Sequence, residues 1–274
     1  MSTDIDAACM ALKMLLEGMS IRATARITAL EKKTISGLIL TVGETCGRLM
    51  DSISDVVVND VKIDEFWSFV GMNQKLATNR EAGHDVGDSW TFVAVERNTK
   101  MILATHIGKR DGNHTDKFLR KLSRAIDTSA RQQISTDGWG GYQYGVPFAL
   151  GSNIDFGMLV KKYAASQSET RYSPATTIAA EKIPQFCNPN PDQICTSHVE
   201  TLNQKIRMHL RRFTRLTAAH SKSLDHHVAM QNILFAWYNW HSKHSTIKKT
   251  PAMASGLAKN VWSVRQLLEN ASEV

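Results

Sequence analysis

The sequence predicts an α/β fold: a mixed five-stranded sheet with flanking helices, and helical segments at both ends of the chain. Two observations carry this. Five short stretches between residues 61 and 163 read as strands, the first placing its side chains on two faces with a period of two, and two helical stretches interrupt them in the order βββαβαβ. Before about residue 54 and after about residue 221, apolar positions recur at helical spacing instead.

The elements follow in chain order. Ala8, Leu12, Leu15 and Leu16 form a helical stripe that stops at Gly18. Ser20 is placed to cap a second short helix carrying Ile21, Ala25 and Ile27. A third helix holds Ile35, Leu38, Ile39 and Val42, with Lys32, Lys33, Thr34 and Ser36 at its head. This trio is a helix-turn-helix candidate, a motif whose last helix offers its N-terminal side chains to the major groove of DNA. A small helical dimerisation module would show the same pattern.

The period then changes. Val61 to Val70 reads as a strand, with Val61, Ile63 and Glu65 on one face and Lys62, Asp64 and Phe66 on the other. Trp90 to Glu96, a turn at Asn98-Thr99, and Met101 to Ile107 complete an antiparallel meander. Thr115 to Ile126 is amphipathic, with Phe118, Leu119, Leu122 and Ile126 inward. Gln132 to Thr136 is a fourth strand ending at Asp137-Gly138, Tyr142 to Leu150 a short helix, and Asp155 to Tyr163 a fifth strand.

Residues 164–197 hold Pro174, Pro184, Pro189 and Pro191, four of the six prolines, and read as a long irregular connection. Helix resumes near Ser197. From about Ser221 the chain is helical around a break at Pro251, with Leu234, Trp237, Tyr238 and Trp240 on one helix and Trp262 and Leu267 on another. The organisation is therefore 1–54, 55–220 and 221–274.

A chain of 274 residues has room for an α/β core and a small accessory region. With 42% hydrophobic and 22% charged residues, global disorder is excluded. Lys and Arg number 33 against 26 Asp and Glu, a net charge of +7, which points towards a polyanionic partner. Cys9, Cys46, Cys187 and Cys195 are far apart and form no Cys-x2-Cys pair, so reduced thiols are expected. A zinc site from Cys187, Cys195 and His198 would lack a fourth ligand. No apolar run is long enough to span a bilayer, and Asp4 and Asp6 stand where a signal peptide would be basic. The expectation is a cytoplasmic protein with no membrane association.

Three acids stand out by position. Asp64 lies in the middle of the first strand. Asp137 ends the fourth, where Gly138 permits a sharp turn. These two strands are neighbours in a sheet of this order, so both carboxylates can come within reach of one metal ion. Glu200 opens the helix after the long connection; the spacings are 73 and 63 residues. Converging carboxylates repel and need a cation. Hard oxygen ligands suit Mg²⁺ or Mn²⁺, and two such ions about 3.5–4 Å apart stabilise an in-line phosphoryl displacement. Taken singly, each acid also has an ordinary reading: an exposed strand residue, a turn former and a helix-start acid.

Glu200 has basic company. Asn203, Arg207 and Arg211 follow at +3, +7 and +11, Lys205, Arg212 and Arg215 widen the basic surface, and no acid intervenes before Asp225. This fits a metal ligand followed by a track for DNA phosphates. Trp139, Tyr142 and Tyr144 near the second Asp can stack on unpaired bases or serve packing.

These residues carry a resemblance. Ile63-Asp64-Glu65-Phe66-Trp67-Ser68-Phe69-Val70 resembles the first acidic strand of transposases of the insertion-sequence-one family of bacterial mobile elements. Ser135-Thr136-Asp137-Gly138-Trp139-Gly140-Gly141-Tyr142 is similar to their second acidic motif. Ser197-His198-Val199-Glu200-Thr201-Leu202-Asn203, with Arg207, Arg211-Arg212 and Ser221-Lys222-Ser223, is similar to their third. Thr24-Ala25-Arg26 with Lys33-Thr34-Ile35 resembles their helix-turn-helix, and Trp237-Tyr238-Asn239 and Thr250-Pro251-Ala252-Met253 resemble their tail.

The resemblance implies a ribonuclease-H-like fold with a DDE triad of Asp64, Asp137 and Glu200. It implies cutting at terminal inverted repeats of double-stranded DNA and joining of 3′-hydroxyl ends to target DNA. Two ends must meet, so the expected assembly is at least a homodimer. Some relatives carry a cysteine-bearing zinc segment before the helix-turn-helix, and this chain has no such spacing. Two other readings share the features: a nuclease of the same fold that cuts without joining, and a DNA-binding repressor that has lost catalysis. Short inverted repeats flanking the gene would separate a transposase from both.

Overall fold

Inside the sheet lies a strand buried along most of both faces. It is β1 (Asp60–Val70), and Val61, Ile63, Phe66 and Val70 are all buried along it. A strand covered on both faces belongs inside a sheet. Here β1 pairs antiparallel with β2 (Gly87–Glu96) and parallel with β4 (Gln132–Asp137). The computed structural model describes residues 4–163, 177–213 and 218–271.

The sheet is mixed. β3 (Ile102–Gly108) closes the antiparallel meander with β2, and β5 (Ile154–Tyr163) runs parallel to β4. Beyond β5 lies β6 (Thr177–Phe186), antiparallel to it, and the order is β3-β2-β1-β4-β5-β6. Among the described residues the sheet therefore has six strands, and the sequence reading of five is corrected. Pro184 hid the sixth, because a proline inside a run demotes it as a strand. On an edge strand the missing N–H breaks no ladder on the outer side, and here Pro184 sits opposite Gly157 beside a register irregularity. Pro191 likewise opens a single 3-10 turn, Pro191–Gln193. Pro174 lies outside the described residues. The arrangement is compatible with the ribonuclease-H-like sheet that the resemblance implies, with one strand more.

The first helices form as their caps and stripes dictate. They are α1 (Ile5–Leu16), α2 (Ile21–Thr28) and α3 (Lys32–Asp51). Ala8, Leu12, Leu15 and Leu16 of α1 are buried, and Ser20 accepts from the Ala23 N–H at 3.2 Å to start α2. The helix α4 (Gln74–Asn79), which the sequence did not suggest, follows β1 and is capped by Asn73. Between strands stand α5 (Gly112–Ala125) and α6 (Gly140–Leu150). After β6 come α7 (Ser197–His209), α8 (Leu224–Trp240), α9 (Pro251–Ala254) and α10 (Val264–Ala271).

α3 and α8 meet closely. A Cβ added at Gly43 would stand 2.3 Å from the Ala229 Cβ, so only glycine lets these backbones approach this far. Leu12 of α1, Ile35 and Ile39 of α3, Phe92 and Val93 of β2 and Phe235 of α8 belong to one hydrophobic core. That core crosses both boundaries, at 54/55 and 220/221, drawn from the sequence. No described helix is long and apolar enough to cross a membrane. All four cysteines are free.

Candidate metal centre

Parallel pairing sets the first residues of β1 beside the middle of β4, with Val61 opposite Ile134 and Lys62 opposite Ser135. The register is pinned from inside. Lys62, wholly buried, reaches Asp60 at 2.6 Å, the Ser135 hydroxyl at 3.0 Å and the Gln193 carbonyl. Two residues further on, β1 presents Asp64, and β4 ends in Asp137. One oxygen each from Asp64, Glu65 and Asp137 lie within 4.8 Å of one another, so this group can hold a metal ion. Asp64 and Asp137 are brought together as the sequence expects. Glu65 is the addition.

Each acid is held differently. The Asn203 amide of α7 donates to Asp64 Oδ2 at 2.9 Å. The Trp139 N–H donates to Asp137 Oδ1 at 3.0 Å, and Arg110 donates to Oδ2 at 3.1 Å. Glu65 takes Arg110 on one oxygen and the Tyr142 hydroxyl, at 2.9 Å, on the other. Glu200 accepts from the Thr196 hydroxyl at 2.7 Å and pairs with Lys161 of β5. It is not one of the three acids whose oxygens converge, although its charge acts on Asp64.

The electrostatics follow from burial and crowding. Burial, then Asp137, Glu65 and Glu200, push the Asp64 carboxyl up to about 8. Burial and the Asp137 charge raise Glu65 against the pull of Arg110 and Tyr142. Burial raises Asp137 as well, opposed by the Trp139 N–H, Arg110 and Lys161. Burial also pushes Glu200 up, but hydrogen bonds from Lys161 and Thr196 outweigh it and leave its carboxyl below the usual range. Asp64, Glu65 and Asp137 are thus carboxyl groups that resist ionising together.

No protein-family model matches the chain. No curated protein matches it. Among solved structures, the chain is similar to the cryo-EM structure of a piggyBac transposase synaptic complex with hairpin DNA. That similarity has a TM-score of 0.47 and 12% sequence identity over 98% of this chain and 70% of that chain.

The basic residues fall into distinct surroundings. Lys32 and Lys33 are exposed at the start of α3, and Thr34 is half-buried. Ser36 is also half-buried, its hydroxyl 2.7 Å from His226 Nε2. Asn203 is buried against Asp64. Arg207 is half-buried on α7, but the helix ends at His209 and Leu210 is extended, so Arg211 lies beyond the helical stripe. Arg211 is exposed. Arg212 turns inward to the Ser221 hydroxyl at 3.3 Å and the His226 carbonyl at 2.6 Å. Arg215 lies outside the described residues. Trp139 and Tyr142 serve the site from within, whereas Tyr144 is 79% exposed.

Sequence reasoning missed Glu65, Arg110 and Lys161. Glu65 left one trace: it is an acid on the strand face that otherwise carries Val61 and Ile63. Arg110 sits in a Lys-Arg-Asp loop, and Lys161 in a Lys-Lys pair, with nothing in the local pattern to mark either.

Proposed function

We propose that this chain is a metal-dependent DNA transposase that cuts at terminal inverted repeats and joins 3′-hydroxyl ends to target DNA, with Asp64, Asp137 and Glu200 as its catalytic acids. The observation that carries the reading is the convergence within 4.8 Å of oxygens from Asp64 and Glu65, in the middle of β1, and Asp137, at the end of the adjacent parallel strand β4. The likeness of the three acidic segments to insertion-sequence-one transposases supports it.

The donor set fits a hard divalent cation, Mg²⁺ or Mn²⁺, since all the donors are oxygens. Asn203 Oδ1 beside Asp64 is buried without a hydrogen-bond partner among the described residues, as a polar atom awaiting a cation or its water would be. Asp64 and Asp137 would hold the ion, with Glu200 completing the set for two ions. Such ions supply Lewis-acid stabilisation of the attacking and leaving oxygens at phosphorus.

The chain's own groups do the rest. Asn203 orients Asp64, and the Trp139 N–H orients Asp137. Thr196 directs Glu200, and Lys161 neutralises it until the site is loaded. Lys32, Lys33, Thr34 and Ser36 at the head of α3, within a helix-turn-helix at 1–54, are the proposed contacts to the terminal repeats. Arg207, Arg211 and Arg215 are the proposed DNA contacts at the catalytic region, 55–220, whereas Asn203 and Arg212, expected from the sequence to join them, face inward; 221–274 is helical support. Cutting and joining two ends needs at least a dimer on DNA.

The test is Mn²⁺-dependent nicking and strand transfer on duplexes carrying the element's ends. Asp64→Asn and Asp137→Asn are expected to abolish both while the duplex is still bound. Cleavage retained in either variant would refute the proposed site.

A further inference from the structure

Glu65 sits among the converging acids, yet its surroundings set it apart. Its side chain is 0% exposed, against 29% for Asp137 and 43% for Glu200. Both its oxygens are engaged, Oε1 by Arg110 Nε at 2.5 Å and Oε2 by the Tyr142 hydroxyl at 2.9 Å. Turning an oxygen towards a metal would strip a buried donor of its acceptor, which is costly. Asp137 is less constrained: its side chain is 29% exposed and each oxygen accepts one bond, whereas wholly buried Glu65 takes two nitrogens of Arg110 on Oε1 alone.

Arg110 is held in a plane. Its guanidinium carbon lies 4.8 Å from the Trp90 ring centroid and 4.6 Å from that of Trp139. The stacked rings fix the guanidinium, and its N–H edge spans Glu65 and Asp137. Trp139 is itself anchored, its indole donating to the Thr115 hydroxyl at 3.2 Å. The loop is fixed on either side as well. Lys109 donates to the Asp88 carbonyl at 2.7 Å, and Asp111 caps α5 by accepting from the His114 N–H at 2.9 Å.

We infer that Arg110 is a positioning residue that sets the direction of the Asp137 carboxylate, and that Glu65 anchors Arg110 and is not itself a metal ligand. The inference rests on the reading of these acids as a metal site and divides them by role. Asp64 and Asp137 face the ion. Glu65, Arg110, Tyr142 and the two tryptophans form the rigid backing that a ligand needs.

Mn²⁺ binding to the full-length, DNA-free chain tests this without recourse to activity, by electron paramagnetic resonance of the free ion. Arg110→Met is expected to weaken binding by about tenfold, the scale on which outer-shell partners act. Arg110→Lys should do the same, because an ammonium keeps the charge but neither stacks as a plane nor spans two carboxylates. Glu65→Gln should also weaken binding, and the double variant Arg110→Met/Glu65→Gln should be no worse than the poorer single one, since both act along one path.

Additive losses would make Glu65 a ligand and overturn the inference. Tighter binding by Arg110→Met would make Arg110 an occupant of the metal's place and overturn it equally. Should Arg110→Met fail to fold by circular dichroism, Trp90→Phe trims one wall of the stack. Several-fold weaker binding then supports the inference, and unchanged binding overturns it. The underlying reading fails separately: Asp64→Asn and Asp137→Asn binding Mn²⁺ like the parent chain would remove the metal site and this inference with it.

Discussion

Asn203 of α7 donates to Asp64 of β1 at 2.9 Å, and through this bond the helix that bears Glu200 is tied to the central strand. The two residues are far apart in the chain, so the bond fixes where α7 enters the site. Asn203→Ala is expected to weaken Mn²⁺-dependent cleavage by about tenfold or more, as loss of a ligand's orienting partner does. A drop in duplex affinity and in its salt dependence, with Mn²⁺ binding intact, would show instead that Asn203 contacts phosphate.

Glu200→Gln is expected to eliminate both cleavage and strand transfer in Mg²⁺ and in Mn²⁺. Glu181→Gln and Asp192→Asn should keep substantial activity. Glu181 is on edge strand β6, paired with Lys162 at 3.2 Å, and Asp192 is exposed in the 3-10 turn. Glu169→Gln, at a position outside the described residues, should behave as they do. An inactive Glu181→Gln beside an active Glu200→Gln would move the third acid to β6.

The Asp64 carboxyl sits at about 8 in the folded, metal-free chain against 3.8 in its ordinary state, because burial and neighbouring acids disfavour its charge. A folded-state value above the unfolded one means stability that is full below about 4 and is lost as pH rises towards 8. The metal-free melting temperature should therefore carry a declining component between these limits. Added Mn²⁺ should stabilise more at pH 8 than at pH 6. Asp64→Asn should flatten the decline, and a slope identical to the parent's would rule Asp64 out as its source.

His227 answers to pH in the opposite sense. Its ring lies buried between the Ser68 hydroxyl at 3.1 Å and the Ser221 hydroxyl at 2.8 Å, and burial, aided by Arg212, lowers it to about 3. An unfolded chain protonates this ring from about 6.5 downwards while the folded one does not, so stability present above 6.5 is lost as pH falls. Between pH 6.5 and 5 the loss should be about 2 kcal/mol. Chemical denaturation of His227→Gln beside the parent chain checks this; equal acid sensitivity would point to other groups.

Two glycines of α3 should respond to the same substitution with opposite sign. Gly43→Ala drives a methyl into Ala229 and should destabilise by about 1–3 kcal/mol through overpacking. Gly37 has no atom within 4 Å of where a Cβ would stand, so Gly37→Ala should stabilise by about 0.5–1 kcal/mol through helix propensity. Urea denaturation midpoints decide both.

What the sequence made legible was local. The stripe from Ala8 to Leu16, the Ser20 cap and the meander from β1 to β3 are written in the period and punctuation of neighbouring residues. Asp64 and Asp137 could be paired because strand order alone makes their strands neighbours. Where the sequence fell short, long-range structure decided. Pro184 is tolerated only because β6 is an edge strand. The basic stripe after Glu200 was extended by helical arithmetic past His209, where the helix stops. Glu65, Arg110 and Tyr142 become partners only when three separate segments pack together.

The closeness of α3 and α8 also bears on the order in which the chain is made. Gly43 leaves the ribosome well before Ala229, and at roughly 5–20 residues per second the interval is on the order of ten to forty seconds. Throughout it, the apolar side of α3 with Ile35, Ile39 and Val42 exists without the helix that will cover it. α3 thus waits for a cover that is made 186 residues later. A fragment ending near residue 54 would remain in that exposed condition, prone to self-association, so the DNA affinity of the α3 head is better measured on the whole chain.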